Sequence, residues 1–245
     1  MMNGRRVATA RGAVLADAAH VEAVGESRDM ESLFEPLSWA DRSAITPVSG
    51  GRGAAWFIER GSEQWVLRHY RRGGWMARAT EDRYLWTGED AVRAFAEYRL
   101  LETLVAEGMP VPVPVAARYE RRGFWYRCDL ITRRIPGAIS LTAVLADNPL
   151  PQPSWAAVGA TIARLHGAGV DHADLNAHNI LIDSRGAVSV IDFDRGRIRG
   201  AGPWAGRNLR RLRRSLHKIS AGFPAGRFSG DSWQSLMSGY LGERR

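Results

Sequence analysis

The sequence predicts an α+β chain of two lobes, an antiparallel sheet with one long helix followed by a mostly helical half. Three observations predict it. Stretches rich in β-branched and aromatic residues, broken by glycine turns, crowd the first half. A single long segment of helical period interrupts them near residues 91–107. Beyond Thr132-Arg133-Arg134-Ile135-Pro136-Gly137 the pattern turns helical around one polar-rimmed hairpin. The expected organisation is a lead-in over residues 1–40, an N-lobe over 41–134 and a C-lobe over 135–245.

Residues 1–40 are rich in Ala, Glu and Arg without strong periodicity and read as a loosely packed lead-in. From Ile45 the character changes. Ile45-Thr46-Pro47-Val48, the turn Ser49-Gly50-Gly51-Arg52-Gly53 and Ala54-Ala55-Trp56-Phe57-Ile58 read as strand, glycine turn, strand. Gln64–Tyr70 reads as a third strand. Phe95, Tyr98, Leu101, Leu104 and Val105 recur at helical spacing, and Gly108 stands where such a helix ends. The alternating prolines of Met109–Pro114 forbid helix and give an extended segment. Further strands are expected at 115–119 and 124–132, and helices at 140–146 and 154–168. Residues 170–183 and 188–194, joined by Ser184-Arg185-Gly186, form a hairpin. A basic helix over 204–219 and a Gly/Ser-punctuated end over 220–245 complete the chain.

Bulk properties bound the function. Hydrophobic residues make up 45% of the chain, which excludes a disordered polyelectrolyte. A net charge of +8 points toward anionic partners. Only one of the 34 basic residues, Lys218, is lysine, so part of that charge reflects a compositional bias. The lone Cys128 excludes an internal disulfide and any multi-cysteine metal cluster. No apolar run reaches the ~18–20 residues that span a bilayer. Asp17, His20 and Glu22 interrupt the Ala-rich start too early for an export signal, so a cytoplasmic protein is expected.

The chemistry concentrates in His172-x-Asp174-x-x-x-x-Asn179, with Asp192 thirteen residues beyond Asn179. Phosphoryl transfer asks for positioning and charge neutralisation more than covalent chemistry. Asp174, on a loop, can orient and deprotonate an attacking hydroxyl. Asn179 at the mouth of one hairpin strand and Asp192 at the end of the other supply the hard oxygens that Mg2+ prefers. A single Asp or Asn near a turn is usually a cap, but three at this spacing on one hairpin are not. His172 is expected to hold the loop and not to react. Asp194 either meets metal or substrate, or pairs with Arg195 or Arg197.

In the N-lobe, Gly50, Gly51, Arg52 and Gly53 let backbone N–H groups approach phosphate, although a plain hairpin turn looks the same. Arg68 on the next strand supplies the cation where no lysine exists, since guanidinium binds phosphate and carboxylate alike. Glu97 is the preferred partner on the long helix, with Glu102 the competitor. In the tail, Arg207, Arg210, Arg211, Arg213, Arg214 and Lys218 interleave with Leu209, Leu212, Leu216 and Ile219. That pattern fits an amphipathic helix meeting anionic lipid or a phosphorylated substrate, and equally a packed helix with a solvated basic face.

The His172–Asn179 and Asp192 set resembles the catalytic-loop and metal motifs of the protein-kinase-like superfamily. One departure is plain: Asp192-Phe193-Asp194 carries aspartate where that superfamily has glycine. Arg68-His69-Tyr70, Asp174-Leu175-Asn176-Ala177-His178-Asn179-Ile180-Leu181 and Asp192-Phe193-Asp194-Arg195-Gly196 narrow the likeness, over residues 30–240, to the lipopolysaccharide core kinase family. The resemblance implies a two-lobed protein-kinase-like fold and ATP with Mg2+ as cofactors. It implies transfer of the γ-phosphate to the 4-hydroxyl of a 3-deoxy-D-manno-octulosonic acid (Kdo) residue on a lipid A precursor. It also implies a peripheral enzyme at the anionic cytoplasmic face of a bacterial inner membrane, with Asp174 in the active site. No nucleic-acid motif is present, and oligomeric state is not legible. The alternatives are a kinase of another small hydroxyl compound, of heptose, aminoglycoside or choline type, and a non-catalytic pseudokinase or basic scaffold.

Overall fold

The computed structural model describes residues 4–17, 27–35, 45–47, 55–60, 62–71 and 82–243. The chain divides into two compact units, Met1–Ala106 with Pro112–Arg134, and Glu107–Val111 with Ile135–Arg245.

The first unit is a twisted antiparallel sheet. Its strands are β1 (Gly4–Ala8), β2 (Gly12–Asp17), β3 (Ile45–Pro47), β4 (Ala55–Arg60), β5 (Glu63–His69), β6 (Tyr84–Leu85), β7 (Pro114–Arg122) and β8 (Trp125–Arg133). The spatial order is β1-β2-β7-β8-β5-β4-β3, with β6 pairing β8. A short helix α1 (Ser27–Ser32) and the long α2 (Arg93–Ala106) belong to the same unit. On α2, Ala94, Phe95, Glu97, Tyr98, Leu101 and Leu104 are all buried, the i, i+3, i+4 pattern of a helix laid on a sheet. Glu97 is the one carboxylate in that face. One core gathers Val14, Ala16, Met30, Phe34, Ile58, Trp65, Leu67 and Ile131.

The lead-in expected over residues 1–40 is corrected here. Its β1 and β2 extend the sheet, β2 pairing with β7 from Gly12 opposite Glu120 to Ala16 opposite Ala116. Ala13-Val14-Leu15-Ala16 is buried throughout. A strand covered on both faces shows an apolar run in place of alternation, which is why no period marked it.

The second unit contains β9 (Ile139–Ser140), α3 (Leu141–Asp147), α4 (Gln152–Gly167), β10 (Val170–Asp171), β11 (Ile180–Ile182), β12 (Val188–Val190), β13 (Arg197–Ile198), α5 (Trp204–Ser220) and α6 (Gly230–Gly242). The expected Gly/Ser-punctuated end therefore holds a helix. A Cβ at Gly159 of α4 would lie 1.8 Å from the Leu236 carbonyl oxygen of α6, and one at Gly239 2.0 Å from that of Ala156. The glycines that argued against helix are what let two helix backbones touch. Ser229 caps α6 with a reciprocal Ser232 bond, supplying the start signal. Among the described residues no helix is long and apolar enough to cross a membrane.

Candidate active site

The second unit builds its polar centre on a tight backbone pass. Gly169 follows α4 with φ +76°, and a Cβ there would meet the Arg199 carbonyl oxygen at 2.5 Å. Only glycine lets the chain run that close before β10 pairs with β13, Val170 opposite Ile198 and Asp171 opposite Arg197. The loop that follows, residues 172–179, hangs from this ladder.

His172 holds that loop. It is 2% exposed, its Nε2 lies 3.0 Å from the Ile191 carbonyl oxygen, and its Nδ1 accepts the Asp174 N–H at 3.2 Å. The two bonds assign one tautomer, with the proton on Nε2 and the lone pair on Nδ1. Burial pushes the imidazole below its usual pKa, which agrees with a neutral ring. Phe193, also buried, stacks obliquely on it with ring centroids 4.8 Å apart.

Around Asp174 the backbone is held by side-chain hydrogen bonds. Its carbonyl oxygen accepts from Asn176 Nδ2 and Asn179 Nδ2, each at 3.0 Å. Asn176 Oδ1 accepts the His178 and Asn179 N–H groups and so caps the 3-10 turn Ala177–Asn179. With its nitrogen committed to Asp174, Asn179 keeps its amide oxygen at the other end of the side chain. The hairpin register pairs Ile180 with Val190, and the Ile191 N–H reaches the Asn179 carbonyl at 2.9 Å. Asp192 comes next, at φ +65°, a left-handed conformation that Asp tolerates better than most residues. Backbone hydrogen bonds thus gather Asp174, Asn179 and Asp192 at one end of the hairpin.

The sequence reading missed what grips the loop from outside. Asn208 of α5, 4% exposed, accepts the His172 N–H and donates to Asp171 Oδ1, both at 3.0 Å. Ser215 Oγ accepts the Ala177 N–H at 3.2 Å, and Arg211 Nη1 meets Asp174 Oδ1 at 3.1 Å. The expected basic helix is therefore a packed one, its Trp204, Leu212 and Leu216 buried. The signal was available: Asn208 is the polar member of the otherwise apolar row Trp204-Asn208-Leu212-Leu216.

In the first unit, Arg68 forms an ion pair with Glu97, and Tyr70 Oη also donates to Glu97. Arg68 Nη2 donates to Tyr70 Oη at 2.9 Å, with its guanidinium 4.6 Å from the Tyr70 ring centroid. Burial pushes the Tyr70 phenol well above its usual pKa, so it stays a donor. Glu102, the competing partner, instead accepts the Gly4 N–H at 2.7 Å. Gly50, Gly51, Arg52 and Gly53 lie outside the described residues. A further network, unread from sequence, joins the half-buried His69 Nδ1 to buried Asp129 at 2.6 Å and Asp129 to buried Arg118 at 2.9 Å.

Comparison with known proteins now adds to this geometry. The model of the lipopolysaccharide kinase (Kdo/WaaP) family matches residues 37–240. The chain belongs to the lipopolysaccharide kinase (Kdo/WaaP) family. It is 50% identical over 192 residues to a 3-deoxy-D-manno-octulosonic acid kinase of Xanthomonas axonopodis pv. citri (strain 306), covering 77% of this chain and 75% of that protein. It is 42% identical over 188 residues to the 3-deoxy-D-manno-octulosonic acid kinase of Vibrio parahaemolyticus serotype O3:K6 (strain RIMD 2210633), covering 77% and 79%. A solved structure, WaaP in complex with acyl carrier protein, aligns over 93% of this chain and 88% of its own with TM-score 0.61 and 16% identity. That likeness concerns the fold, which is protein-kinase-like. This Kdo/WaaP-family member is a phosphotransferase that uses ATP and acts on a hydroxyl.

In this lipopolysaccharide kinase the positioning bonds can be tested apart from the reacting groups. Asn208→Leu strips the buried His172 N–H of its acceptor, which costs about 1–3 kcal/mol of stability in urea unfolding. A loosened loop should also lower kcat by about 10- to 100-fold. Wild-type stability and turnover in that variant would show that the α5 grip is incidental. A second expectation concerns pH. Because the folded imidazole binds its proton less readily than the unfolded one, its contribution is present above the ordinary value of about 6.5 and is lost as pH falls below it. Wild-type protein should lose stability from about pH 7 to 5 more steeply than His172→Gln. Equal slopes would mean His172 titrates normally.

Proposed function

We propose that the protein transfers the γ-phosphate of ATP to the 4-hydroxyl of a Kdo residue on Kdo-lipid IVA, a lipid A precursor, in lipopolysaccharide core biosynthesis. The observation that carries this reading is the anchored loop and hairpin holding Asp174, Asn179 and Asp192 in a chain of this family. The half-exposed Asp174 carboxylate takes the proton of the attacking hydroxyl. The sugar oxygen bonds to the γ-phosphorus as the bond from that phosphorus to the bridging β–γ oxygen breaks, and ADP leaves with the electron pair. His172 and Asn208 fix the loop so that this carboxylate does not wander. Arg68, braced by Glu97 and Tyr70, presents guanidinium N–H groups to phosphate oxygens, the work that lysine does elsewhere.

The donor set fits Mg2+. The Asn179 amide oxygen and the Asp192 carboxylate are hard oxygen ligands that would hold it. Such an ion would neutralise charge on the β- and γ-phosphates.

The reading also carries a location, the cytoplasmic side of the inner membrane, where ATP and a membrane-embedded acceptor meet. The exposed arginines of α5 support contact with an anionic surface. The acyl carrier protein belongs to the WaaP structure; an acidic protein partner for this chain is a proposal on the same charge. A cationic acceptor of the aminoglycoside type has no support, because the side chain beside Asp174 is Arg211. The direct experiment is mass spectrometry of Kdo-lipid IVA after incubation with protein, ATP and Mg2+. One added phosphate on Kdo is expected. An unmodified lipid, with a phosphorylated heptose or choline in parallel reactions, would overturn the substrate.

A further inference from the structure

Helix α5 carries a row of cations that its packing does not require. Arg207, Arg211, Arg214 and Lys218 follow one another at intervals of four, three and four residues, so they lie along one side of the helix for roughly 16 Å. All four are exposed. Like charges at this spacing repel and destabilise a helix, so the row is held against its own electrostatics.

The row borders the catalytic loop. Its neighbours on the helix, Asn208 and Ser215, bond the backbone of His172 and Ala177, and Arg211 itself pairs with Asp174. Among the described residues Asp174 is the only acidic side chain in an ion pair with the row. Arg213, outside it, is differently occupied, lying 5.5 Å from the Trp233 ring centroid. The buried Trp204, Leu212 and Leu216 rule out α5 as a helix that dips its apolar face into a bilayer. What remains is a solvated cationic edge that meets the base at Arg211 and runs along the helix to either side of it.

We propose that Arg207, Arg211, Arg214 and Lys218 form the acceptor-binding edge, which takes a polyanionic sugar bearing carboxylate and phosphate groups. Resting on the reading of Asp174 as the base, it makes Arg211 the link between the base and the acceptor. Its guanidinium, paired with Asp174, transfers to the sugar carboxylate as the acceptor binds, which leaves the Asp174 oxygen to accept the hydroxyl proton. Arg207 on one side of it, and Arg214 and Lys218 on the other, hold phosphate groups.

The test uses the full chain and the triple variant Arg207→Gln, Arg214→Gln, Lys218→Gln, none of which hydrogen-bonds or ion-pairs with the loop among the described residues, with Arg210→Gln as a same-helix control. The triple variant should raise KM for Kdo-lipid IVA at least tenfold, while KM for ATP and kcat at saturating acceptor change less than threefold. Added salt should raise the acceptor KM of wild type but hardly that of the triple variant. Arg210→Gln should behave as wild type. An unchanged acceptor KM in the triple variant overturns the proposal while the kinase reading stands. Weakened binding to phosphatidylglycerol vesicles with unchanged acceptor KM also overturns it, in favour of a general membrane contact. Wild-type protein inactive on Kdo-lipid IVA removes the proposed acceptor first, and this proposal with it.

Discussion

One buried imidazole sets the arrangement on which the rest of the second unit depends. His172 bonds the Ile191 carbonyl through one nitrogen and the Asp174 N–H through the other. The first bond fixes the strand that delivers Asp192, and the second fixes the loop that delivers Asp174. A neutral ring is the species that serves both, because a doubly protonated one has no lone pair for the Asp174 N–H. Burial keeps it neutral. Positioning and charge state therefore have a common cause.

Position matters here because phosphoryl transfer leaves protein little else to contribute. The Asp174 carbonyl accepts two side-chain amides, and its N–H is taken by His172, so both ends of the residue's backbone are held while the carboxylate stays half exposed. A rigid backbone under a solvent-reaching carboxylate is what a general base needs. In the first unit the same logic is applied to a cation. Glu97, buried in an apolar helix face, would be costly alone, and the Arg68 and Tyr70 donors offset that cost. Arginine replaces lysine without loss of the pairing because its planar fork serves a carboxylate and still presents N–H groups elsewhere.

Much of this was legible in the sequence, for physical reasons. The hairpin announced itself by short apolar runs flanking polar residues, and Arg68 by being a cation on a strand in a chain nearly devoid of lysine. Glu97 could be preferred over Glu102 from helical phase alone, and the structure pairs it with Arg68. The failures are equally physical. β2 was invisible because a doubly buried strand has no alternation. Helix α6 was hidden because Gly230, Gly239 and Gly242 argue locally against helix, while close packing on α4 argues for it. Asn208 was lost among arginines, although a buried amide in an apolar row needs partners that only a fold can supply.

The account rests on Asp174 receiving the acceptor proton from a loop held by His172. Single-turnover phosphate transfer by Asp174→Asn, with ATP binding measured separately, tests it most directly. The predicted result is a transfer rate lower by about 10²- to 10⁴-fold with ATP affinity near wild type. A rate within a few-fold of wild type would contradict it.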